Sequence, residues 1–210
     1  HLRLHYEKKG KAAFTDADII LMATGRKPNI EGLHLPSTDI RHSPAGISTD
    51  ENLQTNVPGV YAIGDVNGRQ MLAHTAIFQG FRAVNHILGT PDRIRLDLIP
   101  AAIFTHPEAG SVGLSEDQCK EASTPYRCHK GYYRSNGKAH AGNATEGMIK
   151  LLTDEQGTLL GCHLYGEHAA FIAQEVAVLM NLGATLDRLG DIVHTHPTLS
   201  EILQDMALRP

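Results

Sequence analysis

Residues 148–165 constrain this chain more than any other stretch. Met148–Leu152 and Thr158–Tyr165 are apolar-rich runs separated by Asp154-Glu155-Gln156-Gly157, a turn that opens on an acid and ends on a glycine. The pair predicts an antiparallel hairpin. Helical spacing follows: Ala169–Asn181 is amphipathic and closed by Gly183, Leu186–Ile192 predicts a short helix, and Thr198–Leu208 a last one. Ahead of the hairpin, Ile99–Phe104 and Tyr126–Tyr133 read as strands. Strands grouped before helices predict an α+β unit, an antiparallel sheet with helices against it.

The first half is punctuated differently. Leu2–Glu7 alternates apolar and polar, Lys8–Lys11 turns at Gly10, and Asp18–Ala23 is almost entirely apolar up to Thr24-Gly25, which predicts a hairpin leading into a buried strand. Residues 26–48 are rich in Pro, Gly, Asn and Ser and read as connection. Val60–Ile63 predicts a second short buried strand, stopped by Gly64-Asp65. Ala73–Leu88 is helical in pattern, with Ala73, Ala76, Gly80 and Ala83 on a small-residue face and Ile77, Phe81, Val84 and Leu88 on a bulkier one; Gly89 and Pro91 end it. Composition changes again over Thr90–Asp97.

A chain of 210 residues can hold one large domain or two small ones, and two are expected. Its 41% apolar and 20% charged residues exclude a disordered or fibrous class. A net charge of −4 with scattered Lys and Arg leaves no cationic footprint for nucleic acid. The apolar run Ile19–Ala23 falls far short of the roughly 20 residues of a membrane span, so no membrane partner is expected. Three cysteines, Cys119, Cys128 and Cys162, form neither CxxC nor CxxxxC, which argues against a secreted disulfide framework and for a cytoplasmic location. His1–Glu7 reads as strand with no initiator Met before it, so the natural start is expected elsewhere.

Five motifs occur in order: Ala23-Thr24-Gly25-Arg26; Gly59-Val60-Tyr61-Ala62-Ile63-Gly64-Asp65-Val66; Ile99-Pro100 with Phe104-Thr105-His106-Pro107-Glu108; Val112-Gly113-Leu114-Ser115-Glu116; and His194-Thr195-His196-Pro197-Thr198-Leu199-Ser200-Glu201. Together they resemble the C-terminal portion of class I pyridine nucleotide-disulfide oxidoreductases, the dihydrolipoamide dehydrogenase, glutathione reductase and mercuric reductase group. The resemblance covers nearly the whole chain. It implies that residues 1–29 end an NAD-binding domain, 30–97 are a returning segment of an FAD-binding domain, and 98–210 form a dimerisation (interface) domain. FAD and NAD are the implied cofactors of the intact enzyme. Neither a GxGxxG phosphate cradle nor a CxxxxC redox pair occurs in these residues, so this chain alone is expected to hold neither cofactor stably and to be inactive.

The resemblance also assigns roles. Asp65, beside Gly64, would hold the flavin ribityl chain; read without it, Asp65-Val66-Asn67-Gly68 is equally a polar turn. Met71, Leu72, Ala73 and His74 would lie nearest the flavin ring, where helix N–H groups and the dipole favour negative charge; helix packing alone would also explain the small residues. Thiol–disulfide exchange at neutral pH needs a group that takes a proton from a dithiol and returns it, and histidine titrates in that window. His196 would be this base and Glu201 would orient it. Thr198-x-x-Glu201 is also a capping box, and one carboxylate is not expected to serve both roles fully. The His196–Pro197 bond is expected cis. His194 and His196 alternate as strand residues would and could face one way like a metal pair, but no third ligand is evident and no metal is expected. His106, His163 and His168 are expected to be structural, and the cysteines carry no assigned chemistry.

Within the group, the His194–Glu201 motif and Leu72-Ala73-His74 favour a dihydrolipoamide dehydrogenase, oxidising dihydrolipoamide with NAD. Its implied partners are a second copy, whose disulfide His196 would serve across the dimer interface, and the lipoyl-bearing carrier domain of a 2-oxoacid dehydrogenase or glycine cleavage complex. The tail from Leu203 lacks the cysteine pair of a mercuric reductase, and the His-Pro base counts against a soluble transhydrogenase. A glutathione-reductase-like enzyme and a non-catalytic dimerisation module remain open.

Overall fold

The computed structural model describes residues 1–208; the last two residues of the 98–210 segment lie outside it. The chain divides into two compact units, His1–Gln70 and Met71–Pro210.

In the first unit, β1 (Leu2–Lys8) pairs antiparallel with β2 (Lys11–Ala17). The turn residues Lys9 (φ 53) and Gly10 (φ 74) are both left-handed, the conformation that matches a tight turn to the twist of its strands. The buried strand expected at Asp18–Ala23 is absent: Ile19, Leu21 and Met22 are 84%, 85% and 81% exposed. A run apolar at every position needs partners on its edges and cover on both faces, and no described residue forms a ladder with it. Val60–Ile63 is not a strand either. Tyr61 makes a single bridge to Gln54, and only Ala62 is buried, joining Leu35 and Ile47 in a small core. β3 (His42–Ser43) and β4 (Gly46–Ile47) complete this unit.

The second unit opens with α1 (Ala73–Ile87), ending one residue before the predicted Leu88. Its buried residues are Thr75, Gln79 and Ala83. Ile77, Phe81, Val84 and Leu88, the bulkier face, are all exposed. Arg82 fixes the chain beyond α1 by pairing with Asp92 at 2.9 Å and donating to the Ile94 carbonyl at 2.6 Å.

Beyond it come β5 (Ala101–Ile103), β6 (Glu108–Gly113), α2 (Glu116–Glu121), β7 (Arg127–Tyr132), α3 (Gly137–Ala141), β8 (Met148–Thr153), β9 (Leu159–Gly166), α4 (Ala169–Asn181), α5 (Leu186–Gly190) and α6 (Glu201–Leu208). The five strands form an antiparallel sheet in the order β5-β6-β9-β8-β7. The predicted hairpin is its centre, and the predicted α4 is reproduced residue for residue.

Register explains how the helices dock. Gly110 pairs with Leu164, Leu164 with Ile149, and Ile149 with Gly131, so these four form one row across β6, β9, β8 and β7. Directly opposed residues share a face. A Cβ at Gly110 would stand 2.8 Å from the Ala169 carbonyl oxygen and 2.9 Å from Ala173 Cβ, so the missing side chain is what lets α4 settle on β6. At Gly131 a Cβ would stand 2.6 Å from Ile202 Cγ2 and from Met206 Sδ, so α6 settles on β7 in the same way. Both helices therefore cover one face of the sheet. Between them Leu164, Ile149, Val112, Cys162 and Leu151 are buried with the α4 stripe Ala169, Ile172, Ala173, Val176, Ala177 and Met180. No described helix is long and apolar enough to cross a membrane.

Candidate active site

His196 lies in the loop between α5 and α6, and Glu201 is the first residue of α6. Ile202, Leu203 and Met206 are buried, and docking them against β7 fixes where Glu201 emerges. Nδ1 of His196 is 2.8 Å from Oε1 of Glu201. Oε2 of the same carboxylate accepts the Thr198 backbone N–H at 2.7 Å. The orienter and the cap are thus not alternatives, because the two oxygens divide the work. The Thr198 hydroxyl turns away from a reciprocal box and donates to the Thr195 carbonyl at 2.8 Å. The His196–Pro197 peptide is cis, as expected.

This geometry decides which ring nitrogen carries the proton. The Thr198 N–H first, and His196 second, hold the Glu201 carboxyl below its ordinary range. An ionised carboxylate only accepts hydrogen bonds, so Nδ1 carries a proton and Nε2 is left with the lone pair. The His196 side chain is 81% exposed and that of Glu201 23%. The arrangement can take a proton at Nε2 from an approaching group, stabilise the resulting imidazolium, and return the proton.

His194 does not share that direction. Its side chain is only 5% exposed, with Nδ1 2.8 Å from the Ile192 carbonyl oxygen and Nε2 3.7 Å from Oε1 of Glu175. The expectation that both imidazoles could face one way therefore fails: residues 192–194 are not a strand, and the loop turns the rings apart. Two anchors of this loop escaped the sequence reading. Glu175 of α4 accepts the Ser200 hydroxyl at 2.6 Å, and Asn136, the N-cap of α3, donates to the Thr198 carbonyl at 3.0 Å. An asparagine before a short helix is a cap signal, whereas a lone acid within the apolar pattern of α4 gives none.

The residues assigned to flavin fall in both units. Gly64 and Asp65 belong to the first, in a 3-10 turn spanning Gly64–Asn67 rather than at a strand end. Asn67 holds the turn, donating to the Ala62 carbonyl at 3.0 Å and accepting the Arg69 N–H at 3.0 Å, while Asp65 is exposed. Met71, Leu72, Ala73 and His74 belong to the second. Leu72 is the N-cap of α1 and supplies no side-chain cap, and His74 Nε2 lies 2.8 Å from the Pro100 carbonyl oxygen. Leu72 and His74 line an open cavity of about 910 Å³ with Phe78, Ile99, Pro100 and Ala170. The hydroxyl of Thr75, in the first turn of α1, is buried without a hydrogen-bond partner.

Cys119 and Cys162 are buried and Cys128 is exposed. Burial pushes the Cys162 thiol up to about 12, so it stays protonated at neutral pH. His163 is bonded structurally, to the Leu114 carbonyl at 3.0 Å.

The second unit thus joins an antiparallel sheet, with α4 and α6 on one face, to a His196–Glu201 contact at the start of α6. The profile described as the pyridine nucleotide-disulphide oxidoreductase dimerisation domain matches residues 99–207, and that of pyridine nucleotide-disulphide oxidoreductase matches residues 3–80. The chain belongs to the pyridine nucleotide-disulphide oxidoreductase family. Among curated relatives it is 36% identical over 201 residues to dihydrolipoyl dehydrogenase 1, mitochondrial, of Arabidopsis thaliana, covering 95% of this chain and 40% of the relative. To a dihydrolipoyl dehydrogenase of Bacillus subtilis it is 37% identical over 204 residues, covering 96% and 43%. The chain thus spans about two fifths of the length of these relatives. The crystal structure of LpdA from Mycobacterium tuberculosis superposes with a TM-score of 0.83 at 28% identity, over 95% of this chain and 44% of that one. The HOCl-induced flavoprotein disulfide reductase RclA of Escherichia coli shares the fold, with a TM-score of 0.81 at 24% identity over 98% and 48%.

Proposed function

We propose that this chain works as the C-terminal part of an FAD-dependent dihydrolipoyl dehydrogenase, supplying the homodimer interface and the acid/base pair. In this reading residues 1–29, 30–97 and 98–210 are the end of the NAD-binding domain, the returning segment of the FAD-binding domain and the interface domain. The observation that carries the function is the His196–Glu201 contact at 2.8 Å, with Nε2 on an exposed ring. Dihydrolipoamide oxidation requires a base for the dithiol, and His196 accepts the proton at Nε2 while Glu201 keeps the other nitrogen protonated. The relatives named above favour the lipoyl substrate over glutathione, and a lipoyl-bearing carrier domain is the corresponding partner.

The residues present suit a flavin. Thr75 holds a buried hydroxyl without a partner in the first turn of α1, where the leading N–H groups have no intrahelical acceptor. Met71, Leu72, Ala73 and His74 would border the ring there. FAD, when bound, carries electrons between the dithiol and NAD. None of this asks Cys119, Cys128 or Cys162 to react.

The test is His196→Gln in the full-length enzyme. Dihydrolipoamide oxidation should fall by roughly 10²–10⁴-fold, the usual worth of a positioned acid/base group, while electron transfer from NADH to the flavin, read by absorbance, is retained. An unchanged oxidation rate would refute the assignment.

A further inference from the structure

α4 sets a second carboxylate beside the loop that carries His196. Glu175 accepts the Ser200 hydroxyl on Oε2 at 2.6 Å, and its Oε1 lies 3.7 Å from Nε2 of His194. His194 Nδ1 is bonded to the Ile192 carbonyl at 2.8 Å. A carbonyl only accepts, so Nδ1 carries a proton, and Nε2 is the nitrogen turned towards Glu175. Ser200 directly precedes Glu201, and His194 stands two residues before His196. One carboxylate on one helix thus meets the loop on both sides of the cis His196–Pro197 bond.

We propose that Glu175 is a positioning residue for the His196–Glu201 pair: by holding Ser200 in the frame of α4, it sets the loop so that Nδ1 of His196 meets Glu201. The inference rests on the reading of His196 as the base for its catalytic meaning, but the contact it describes is measurable without catalysis. α4 is fixed to the sheet through the close approach at Gly110, and α6 through that at Gly131. The loop from α5 to α6 that carries His196 belongs to no strand or helix. Side-chain bonds therefore anchor it, and the Glu175 carboxylate, by taking the Ser200 hydroxyl, ties it to α4 next to Glu201.

The experiment is histidine tautomer determination by long-range ¹H–¹⁵N NMR on the 210-residue chain, above the imidazole titration range, with His196 assigned from the signals lost in His196→Gln. Free neutral histidine favours the Nε2–H tautomer, so a predominant Nδ1–H form at His196 is the signature of its bond to Glu201. The proposal predicts that Glu175→Ala and Ser200→Ala shift His196 towards the Nε2–H form while the backbone amide spectrum stays dispersed. Glu175→Gln, which keeps an acceptor for Ser200, should restore the Nδ1–H form. If Glu175→Ala fails to fold, Ser200→Ala decides alone. Retention of the Nδ1–H form in folded alanine variants would overturn the positioning role and leave the pair intact. A predominant Nε2–H form in the unsubstituted chain would overturn the pair itself, and the positioning of it as well.

Discussion

Glu201 makes its two hydrogen bonds through different oxygens, and their dependence on charge can be read from stability against pH. The folded carboxyl sits below its ordinary range, so it releases its proton more readily in the folded than in the unfolded chain. Its contribution to stability is fully present above the ordinary glutamate range and is lost as pH falls through the depressed folded value. Glu201→Gln should therefore lower the urea midpoint at neutral pH, and the gap to the unsubstituted chain should close on acidification past the ordinary carboxylate range. A gap of constant size at all pH values would mean that the charge of Glu201 contributes nothing. At this scale the sequence was informative about which residues meet and less so about how. The spacing of His196, Thr198 and Glu201 suggested two competing roles for one carboxylate, and nothing in a linear spacing reveals that the oxygens are served separately. Glu175 was invisible for a related reason: it reaches the loop across 25 positions of sequence.

Among elements, the helices owe their seats to residues that are missing a side chain. Gly110→Ala should destabilise the chain by roughly 1–3 kcal/mol, the cost of overpacking a close helix–sheet contact. Gly137→Ala, where an added Cβ meets nothing within 4 Å, should be neutral or stabilising by up to about 1 kcal/mol. Urea unfolding of both variants checks the contrast, and equal effects would contradict the docking described here. Elements whose pattern is satisfied locally were legible: the β8–β9 hairpin, α4 and most of α1 fall where periodicity places them. β6 was not, because Glu108–Gly113 contains two glycines and a serine and looks like a loop until β9 pairs with it. α2 carried a signal that went unread, since Ser115 and Gln118 form a complete capping box. Asp18–Ala23 and Val60–Ile63 erred the other way. Their apolar runs have strand composition, but a strand exists only where another backbone pairs with it.

For the whole molecule, the apolar surface is as informative as the core. Phe104 is 80% exposed, Phe171 73% and Leu182 79%, all in the unit matched by the dimerisation-domain profile. A second copy is the proposed cover for that unit, and in the proposed enzyme it brings more than burial, because His196 would serve the disulfide of the other subunit. That claim can be measured by subunit complementation. Full-length protomers carrying His196→Gln are mixed with full-length protomers lacking the redox cysteines, and the dimers are dissociated and reassembled. Each homodimer is inactive towards dihydrolipoamide. A hybrid joins the intact cysteines of one protomer to the intact His196 of the other at one of its two sites, so random pairing should restore about a quarter of the unsubstituted activity. Activity that stays at the level of the separate variants, in a mixture shown by mass to contain hybrids, would contradict the account.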